Sequence, residues 1–244
     1  MITHGHADHA RPGHENVLAT SETLGIMRLR YGEAHARAST QPVSYGEKIT
    51  VNDVEISFHP AGHVLGSAQI KLNYGGHSIV LSGDYKRRKD PTCQAFEPVP
   101  CDVFVTEATF GLPVFRHPET GVEIDKIMRS LNIFPDRPHL VGAYPLGKTQ
   151  RVLSEIRQSG YDSTIFYHGA LETMSHFYME HDIDLGPIEK VKAVNRKEFD
   201  RSKYNGKIIL CPPSALTEKW AWRFDNPVTS MASGWMRIRQ RVKQ

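Results

Sequence analysis

His4-Gly5-His6-Ala7-Asp8-His9 places three imidazoles and a carboxylate within six positions. Imidazole nitrogen and carboxylate oxygen suit zinc, and carboxylate with water also suits manganese or magnesium. The stretch therefore reads as the heart of a metal centre. Four donors in one tight turn are more than a single tetrahedral ion takes from so short a segment, which points to two divalent ions, Zn first and Mn second. Two ions roughly 3.5–4 Å apart can clamp both the attacking and the leaving oxygen of a displacement. The plain alternative is a His-rich surface turn that collects metal adventitiously.

A short loop cannot surround two ions alone, so further donors are expected at the ends of other strands. Two positions qualify. His63 follows Pro60-Ala61-Gly62, beyond a strand ending near Phe58, and Asp84 follows Ser82-Gly83 at the exit of a Ser78–Leu81 strand. Glycine before each lets the backbone approach closely, and a carboxylate at Asp84 can bridge two ions. A strand-end His or Asp is commonly only a turn or cap residue; the order of the three segments favours ligands. His59 is expected on the strand itself, facing away from its neighbours. His14, His35, His77, His117, His139, His168, His176 and His181 show no partner pattern.

The rest of the 244 residues bounds the class. No apolar run approaches the roughly 18–20 residues that cross a bilayer, so no membrane partner is expected. No basic and apolar leader precedes the cluster, and Cys93, Cys101 and Cys211 lack a C-x-x-C spacing. A cytoplasmic protein without a disulfide framework is the expectation. The net charge of +3 is too mild to signal a polyanion by itself. Local runs say more: Lys86-Arg87-Arg88-Lys89 follows Asp84, and Arg237, Arg239, Arg241 and Lys243 crowd the C-terminus. Arg87 and Arg88 are candidate phosphate contacts; a solvated loop and a charged tail are the alternatives.

Along the chain, Ser21 to about Tyr31 has helix-start character. Lys48–Val51 and Val54–Phe58 flank Asn52-Asp53 as a hairpin, and Ala68–Tyr74 with Ser78–Leu81 flank Gly75-Gly76 as another. A strand over Asp102–Thr106 closes this β-rich half. After Phe110 helices are expected near Val122–Leu131, Thr149–Gln158 and Leu171–His181, alternating with strands near Leu140–Ala143, Thr164–Tyr167 and Lys207–Leu210. That is the texture of a parallel α/β sheet. A boundary is placed in the Thr109–His117 region, giving domains 1–110 and 111–244.

Taken in order, Thr3-His4-Gly5-His6-Ala7-Asp8-His9, Ala61-Gly62-His63 and Ser82-Gly83-Asp84 resemble the signature of the metallo-β-lactamase fold. Thr106-Glu107-Ala108-Thr109-Phe110-Gly111 resembles the first motif of its β-CASP nuclease group. Tyr144-Pro145-Leu146-Gly147-Lys148-Thr149-Gln150-Arg151 and Ser233-Gly234-Trp235-Met236 are similar to the ligase-associated DNA exonuclease branch, relatives of Artemis and of RNA 3′-end processing factors. The resemblance implies an αββα sandwich followed by an α/β β-CASP domain. It also implies that His4, His6 and His63 hold one ion, that Asp8 and His9 hold the second, and that Asp84 bridges them. Asp8 would steer the attacking hydroxide and Glu107 would support the site, making Asp8, Asp84 and Glu107 the catalytic set. The implied substrate is DNA, with RNA as the nearest competitor, and the implied partner is a DNA ligase. Lys148 and Arg151 open a helix whose free N–H groups suit phosphate, or are an ordinary polar helix start. Trp220, Trp222 and Trp235 either stack bases or fill core.

Two departures from the family pattern set a rival expectation. The strands that precede the His-rich loop, and the later Ser-Asp-His and His-Gly motifs, are absent from this sequence. The sandwich and the β-CASP domain are therefore expected to be incomplete at both ends. A catalytically impaired nucleic-acid-binding fragment is the second reading, and a small thioester or lactone hydrolase the third.

Overall fold

The computed structural model describes residues 1–32, 39–192 and 198–239; His35, Arg241 and Lys243 lie outside the described residues. The chain divides into two compact units, Met1–Thr109 and Phe110–Gln244, both mixtures of helix and strand. None of the described helices is long and apolar enough to cross a membrane.

In the first unit β1 (Asn16–Ala19), α1 (Ser21–Tyr31) and β2 (Ser39–Pro42) precede a five-strand run. That run comprises β3 (Lys48–Val51), β4 (Val54–Pro60), β5 (Ala68–Tyr74), β6 (His77–Leu81) and β7 (Val103–Val105). The run forms one sheet in the order β3-β4-β5-β6-β7, antiparallel as far as β6 and parallel between β6 and β7. Both expected hairpins form. Asn52 and Asp53 sit at φ 46° and 64°, the left-handed pair that a two-residue turn of matching twist requires and that Asn and Asp tolerate.

Buried Val43, Ile56, Phe58, Ala68 and Ile70 make the core under this sheet. Phe58 is fully buried, so truncating it to alanine costs about 3–5 kcal/mol. β7 is an edge strand whose Val103, Phe104 and Val105 are about half exposed, an apolar edge of the kind that invites pairing. β1 and β2 pair in parallel as a separate two-stranded sheet, which the sequence pattern does not announce. Helix α1 is capped by Thr20 rather than Ser21: Thr20 is extended (φ −63°, ψ 155°) and its Oγ1 accepts from Thr23 N at 3.3 Å. The α1 residues Leu24 and Met27 join Ile2, Ala10, Val17 and Ala19 in a second core.

The second unit runs α2 (Thr120–Ile133), β8 (His139–Gly142), α3 (Lys148–Gln158), β9 (Ile165–Tyr167), α4 (Glu172–Met179), β10 (Ile188–Lys190), β11 (Ile208–Cys211), β12 (Val228–Met231) and α5 (Met236–Arg239). Its sheet is wholly parallel, in the order β10-β9-β11-β8-β12. The three inner strands are buried along their whole length, as expected of a parallel sheet covered on both faces. The edge strands β10 and β12 are poorer in apolar residues, with Glu189-Lys190 beside Ile188 and Thr229-Ser230 between Val228 and Met231. Leu140, Phe166, Ile209, Tyr204 and Phe224 belong to one core cluster, against which Trp220 packs. Trp235 lies among aromatic rings, its centroid 5.3 Å from Phe110 and 5.4 Å from Phe115. Trp222 is 67% exposed.

Candidate metal centre

Three loops of the first unit meet at one point. The segment carrying His4 and His6 is pinned at its start by Ile2 N donating to Leu18 O of β1 at 2.9 Å and by Ala68 N of β5 donating to Thr3 O at 2.7 Å. It then turns tightly, with Ala10 N donating to His6 O at 2.8 Å. The loop after β4 carries His63 and folds around buried Ser67, whose Oγ accepts from His63 N at 3.0 Å and Val64 N at 3.1 Å. The loop after β6 carries Asp84 and is tied to the His63 loop by Lys86 N donating to Ala61 O at 2.9 Å. Lys86 pairs tightly with buried Asp90, which also accepts from Thr92 N and Thr92 Oγ1.

Glycines allow the loops to touch. A Cβ at Gly62 would fall on Lys86 O and lie 2.9 Å from Phe96 N; at Gly83 it would lie 2.7 Å from Thr3 Cβ, and at Gly5 2.6 Å from Ile26 Cγ2. Each of these glycines is the immediate neighbour of a candidate ligand.

The side chains converge accordingly. His6 Nδ1 lies 3.1 Å from His4 Nε2 and 3.2 Å from His63 Nε2. Asp84 Oδ2 lies 3.9 Å from His4 Nε2 and 3.6 Å from His63 Nε2. One donor atom from each of His4, His6, His63 and Asp84 falls within a span of 4.8 Å. A tetrahedral zinc ion with bonds of 2.0–2.1 Å holds its ligands roughly 3.3–3.4 Å apart, so the donor set fits such an ion in type, number and spacing. The other carboxylate oxygen, Asp84 Oδ1, faces His9 Nε2 at 3.4 Å, and Asp8 Oδ2 stands 3.8 Å from the same nitrogen. Asp84 thus has one oxygen toward each group. His9 and Asp8 lie outside the compact four-residue group, and the Asp8 side chain is 74% exposed.

The electrostatics are compatible with a bound cation. Burial, reinforced by His63, His6 and His9, pushes His4 down to about 2, so its ring is neutral with a lone pair to offer. The hydroxyl of Thr3 meets His4 Nδ1 at 3.1 Å and fixes the ring. Asp84 is raised, chiefly by burial and also by Glu107 and Asp8, against the opposing pull of His9 and His6. Protonated imidazole and bare carboxylate are both disfavoured here, and a metal cation relieves the second without demanding the first.

A pH dependence follows. An unfolded chain protonates His4 near 6.5 while the folded chain keeps it neutral, so stability is full above 6.5 and falls below it. The slope is about 1.4 kcal/mol per pH unit once the unfolded histidine is fully charged. Thermal unfolding of chelator-treated protein between pH 7.5 and 5 is expected to show a midpoint falling with pH below 6.5. That fall should be shallower in a His4→Gln variant, with His139 and His168, which burial also holds down, accounting for the remainder.

Other residues singled out by the sequence fall in several places. Glu107 follows β7: its backbone N donates to Ser82 Oγ at 3.2 Å, and its Oε2 accepts from Thr109 N at 2.6 Å. Arg87 and Arg88 are exposed on the loop after Asp84. His59 is on β4, with Nε2 3.0 Å from Ser57 Oγ and Nδ1 3.3 Å from Glu97 Oε1, outside the four-residue group. Lys148 and Arg151 open α3 in the second unit, but three of the N–H groups there are already used. Gly147 N donates to Gln150 Oε1, Lys148 N to Leu146 O and Thr149 N to Tyr144 O. The expectation of free N–H groups for phosphate at this helix start is therefore corrected for Gly147, Lys148 and Thr149. Arg151 Nη2 donates to Thr120 Oγ1 at 2.7 Å, and its Nε lies 3.4 Å from Glu155 Oε1. Sequence reasoning missed Thr3, Ser67 and Ser82, whose only signal is adjacency to a ligand or a ligand loop.

No family model matches the chain. A probable DNA ligase of Opitutus terrae is 27% identical over 238 residues, covering 96% of this chain and 22% of that protein. Endoribonuclease YSH1 of Gibberella zeae is 26% identical over 189 residues, covering 63% of this chain and 22% of that protein. The chain thus spans less than a quarter of the length of these two relatives. An uncharacterized protein from the lig 3′ region of Acidianus ambivalens is 30% identical over 147 residues, covering 58% of this chain and 99% of that one. Among solved structures, a protein of unknown function from Enterococcus faecalis V583 aligns with TM-score 0.59 at 11% identity, covering 99% of this chain and 65% of that one. That likeness concerns the fold alone.

Proposed function

We propose that the chain is a metal-dependent phosphodiesterase of the β-CASP nuclease family, the reading its similarity to a probable DNA ligase and to endoribonuclease YSH1 supports, and that it acts as a DNA exonuclease alongside a DNA ligase. Met1–Thr109 is then its metallo-β-lactamase domain and Phe110–Gln244 its β-CASP domain. His4, His6 and His63 would hold one divalent ion and His9 and Asp8 a second, with Asp84 available to both. The observation that carries this reading is the spacing of the His4, His6 and His63 ring nitrogens, with the two Asp84 oxygens turned to opposite sides.

When bound, such ions supply Lewis acidity toward phosphoryl oxygens and activate water at neutral pH. The protein's own contribution is preorganisation. His4 presents Nε2 in its neutral form, fixed from behind by Thr3. Glu107, clasped by Thr109 N and set beside Ser82, places a second negative charge behind Asp84. That charge strengthens the attraction of the pair for cations. Asp8, exposed beside His9, is positioned to accept a proton at its carboxylate from water entering the site. Arg87 and Arg88 lie on the same loop as Asp84 and offer charge to the phosphate backbone.

The name of the Gibberella zeae relative favours RNA hydrolysis as the second reading. One assay separates the two: end-labelled linear DNA and RNA of the same sequence are incubated with the purified chain, with zinc or manganese supplied and with chelator as control. Stepwise, metal-dependent shortening of DNA alone is the expected result. Shortening of RNA alone selects the second reading, and hydrolysis of a simple thioester with neither polymer cut removes both.

A further inference from the structure

The two loops that carry the three histidines are separate in sequence, and one helix touches both. At the start of α1, the buried hydroxyls of Thr20 and Thr23 both reach Gly66 O, at 2.7 and 3.0 Å. Gly66 immediately precedes Ser67, which holds the His63 and Val64 backbone. In mid-helix, Ile26 fills the space where Gly5 lacks a side chain. Near the end of α1, Arg30 Nη1 donates to Gly5 O at 2.7 Å, and Gly5 stands between His4 and His6. From Thr23 to Arg30 the helix rises roughly 10 Å, a rigid bar with one polar anchor on each ligand loop.

Resting on the metal-centre reading above, we infer that α1 sets the separation of the His63 loop from the His4–His6 loop, and that Arg30 and Thr23 are positioning residues of the metal centre. Helix packing alone would need only the apolar face of Leu24, Ile26 and Met27. The polar contacts instead end on carbonyls one or a few residues from ligands. The Arg30 bond is charge-assisted and directional, and loss of the groups that orient metal ligands typically costs 10–100-fold in metal affinity or activity.

The test uses Co²⁺ as a spectroscopic probe on the full 244-residue chain. Co²⁺ affinity by chelator competition and the visible ligand-field spectrum are compared for wild type, Arg30→Met, Arg30→Lys, Thr23→Val and, as a control on the exposed side of the same helix, Arg28→Met. Arg30→Met is expected to weaken Co²⁺ binding about 10–100-fold and to change the spectrum, Arg30→Lys to restore most of both, and Arg28→Met to match wild type. Thr23→Val is expected to move the spectrum in its own right, and it decides the question if circular dichroism shows that Arg30→Met does not fold. A lowered melting temperature with wild-type Co²⁺ affinity and spectrum in the folded variants overturns the inference. Failure of wild type itself to bind Co²⁺ overturns the metal-centre reading first, so the two failures are told apart by the wild-type titration.

Discussion

Replacing Asp84 with asparagine is expected to abolish the proposed nuclease activity, by on the order of 10³-fold or more, while stabilising the metal-free fold. The activity loss follows from geometry. Asp84 Oδ2 faces His4 and His63 while Oδ1 faces His9, so one side chain serves both halves of the site. If a group that merely orients a ligand is worth 10–100-fold, a carboxylate that would serve two ions, as proposed above, is worth more. Asparagine keeps the shape and loses the charge. The stability gain follows from the raised pKa of Asp84: a carboxyl whose folded pKa lies above its unfolded value favours the fold at low pH and opposes it at neutral pH. A neutral amide removes that opposition. Two measurements check the pair of claims: cleavage of labelled DNA in zinc or manganese, and thermal unfolding at pH 7 with chelator present. Retained cleavage would remove Asp84 from the centre. Lowered stability in chelator would show that Asp84 is a structural hydrogen-bond acceptor instead.

The hairpins could be read because their information is local: alternation along β4 to β6 and turn residues that accept left-handed backbone. His63 and Asp84 could be read because each is a donor type just past a readable strand, and His4, His6, Asp8 and His9 because they crowd six positions. β2 could not, since Ser39-Thr40-Gln41-Pro42 is exposed throughout and pairs with β1 through backbone alone. β12 is hidden for a similar reason, being a four-residue edge with exposed Thr229 and Ser230 at its middle, beside a buried strand. The groups that hold the ligands are also invisible locally. Arg30 on a helix and Ser67 in a loop look ordinary, and Arg30 meets its partner 25 residues away in the chain while Thr20 reaches one 46 residues away. At α3, the run Gly147-Lys148-Thr149-Gln150 suggests open N–H groups, and only the folded loop reveals that Gln150 and nearby carbonyls have taken them.

Changing Gly62 to alanine is expected to damage both stability and the metal centre. Gly62 has φ +70°, a left-handed conformation that costs an ordinary residue about 1–2 kcal/mol. The added Cβ would also fall on Lys86 O with Phe96 N close behind. These are backbone atoms that cannot swing aside as a flexible side chain would, and such overpacking adds about 1–3 kcal/mol. The sum, about 2–5 kcal/mol, is a large part of a typical domain's 5–15 kcal/mol. Relief of the overlap must push the Lys86 segment off Ala61 and displace His63, so the loss of metal affinity should exceed what destabilisation alone produces. Gly75→Ala is the matched control, because Gly75 is left-handed at φ +56° with nothing within 4 Å of its added Cβ. Denaturant unfolding and Co²⁺ titration of both variants are expected to show a small stability cost with intact metal binding for Gly75→Ala, and a large cost with weakened binding for Gly62→Ala. Equal effects would mean that backbone strain alone, rather than the close approach of the His63 and Asp84 loops, is what Gly62 serves.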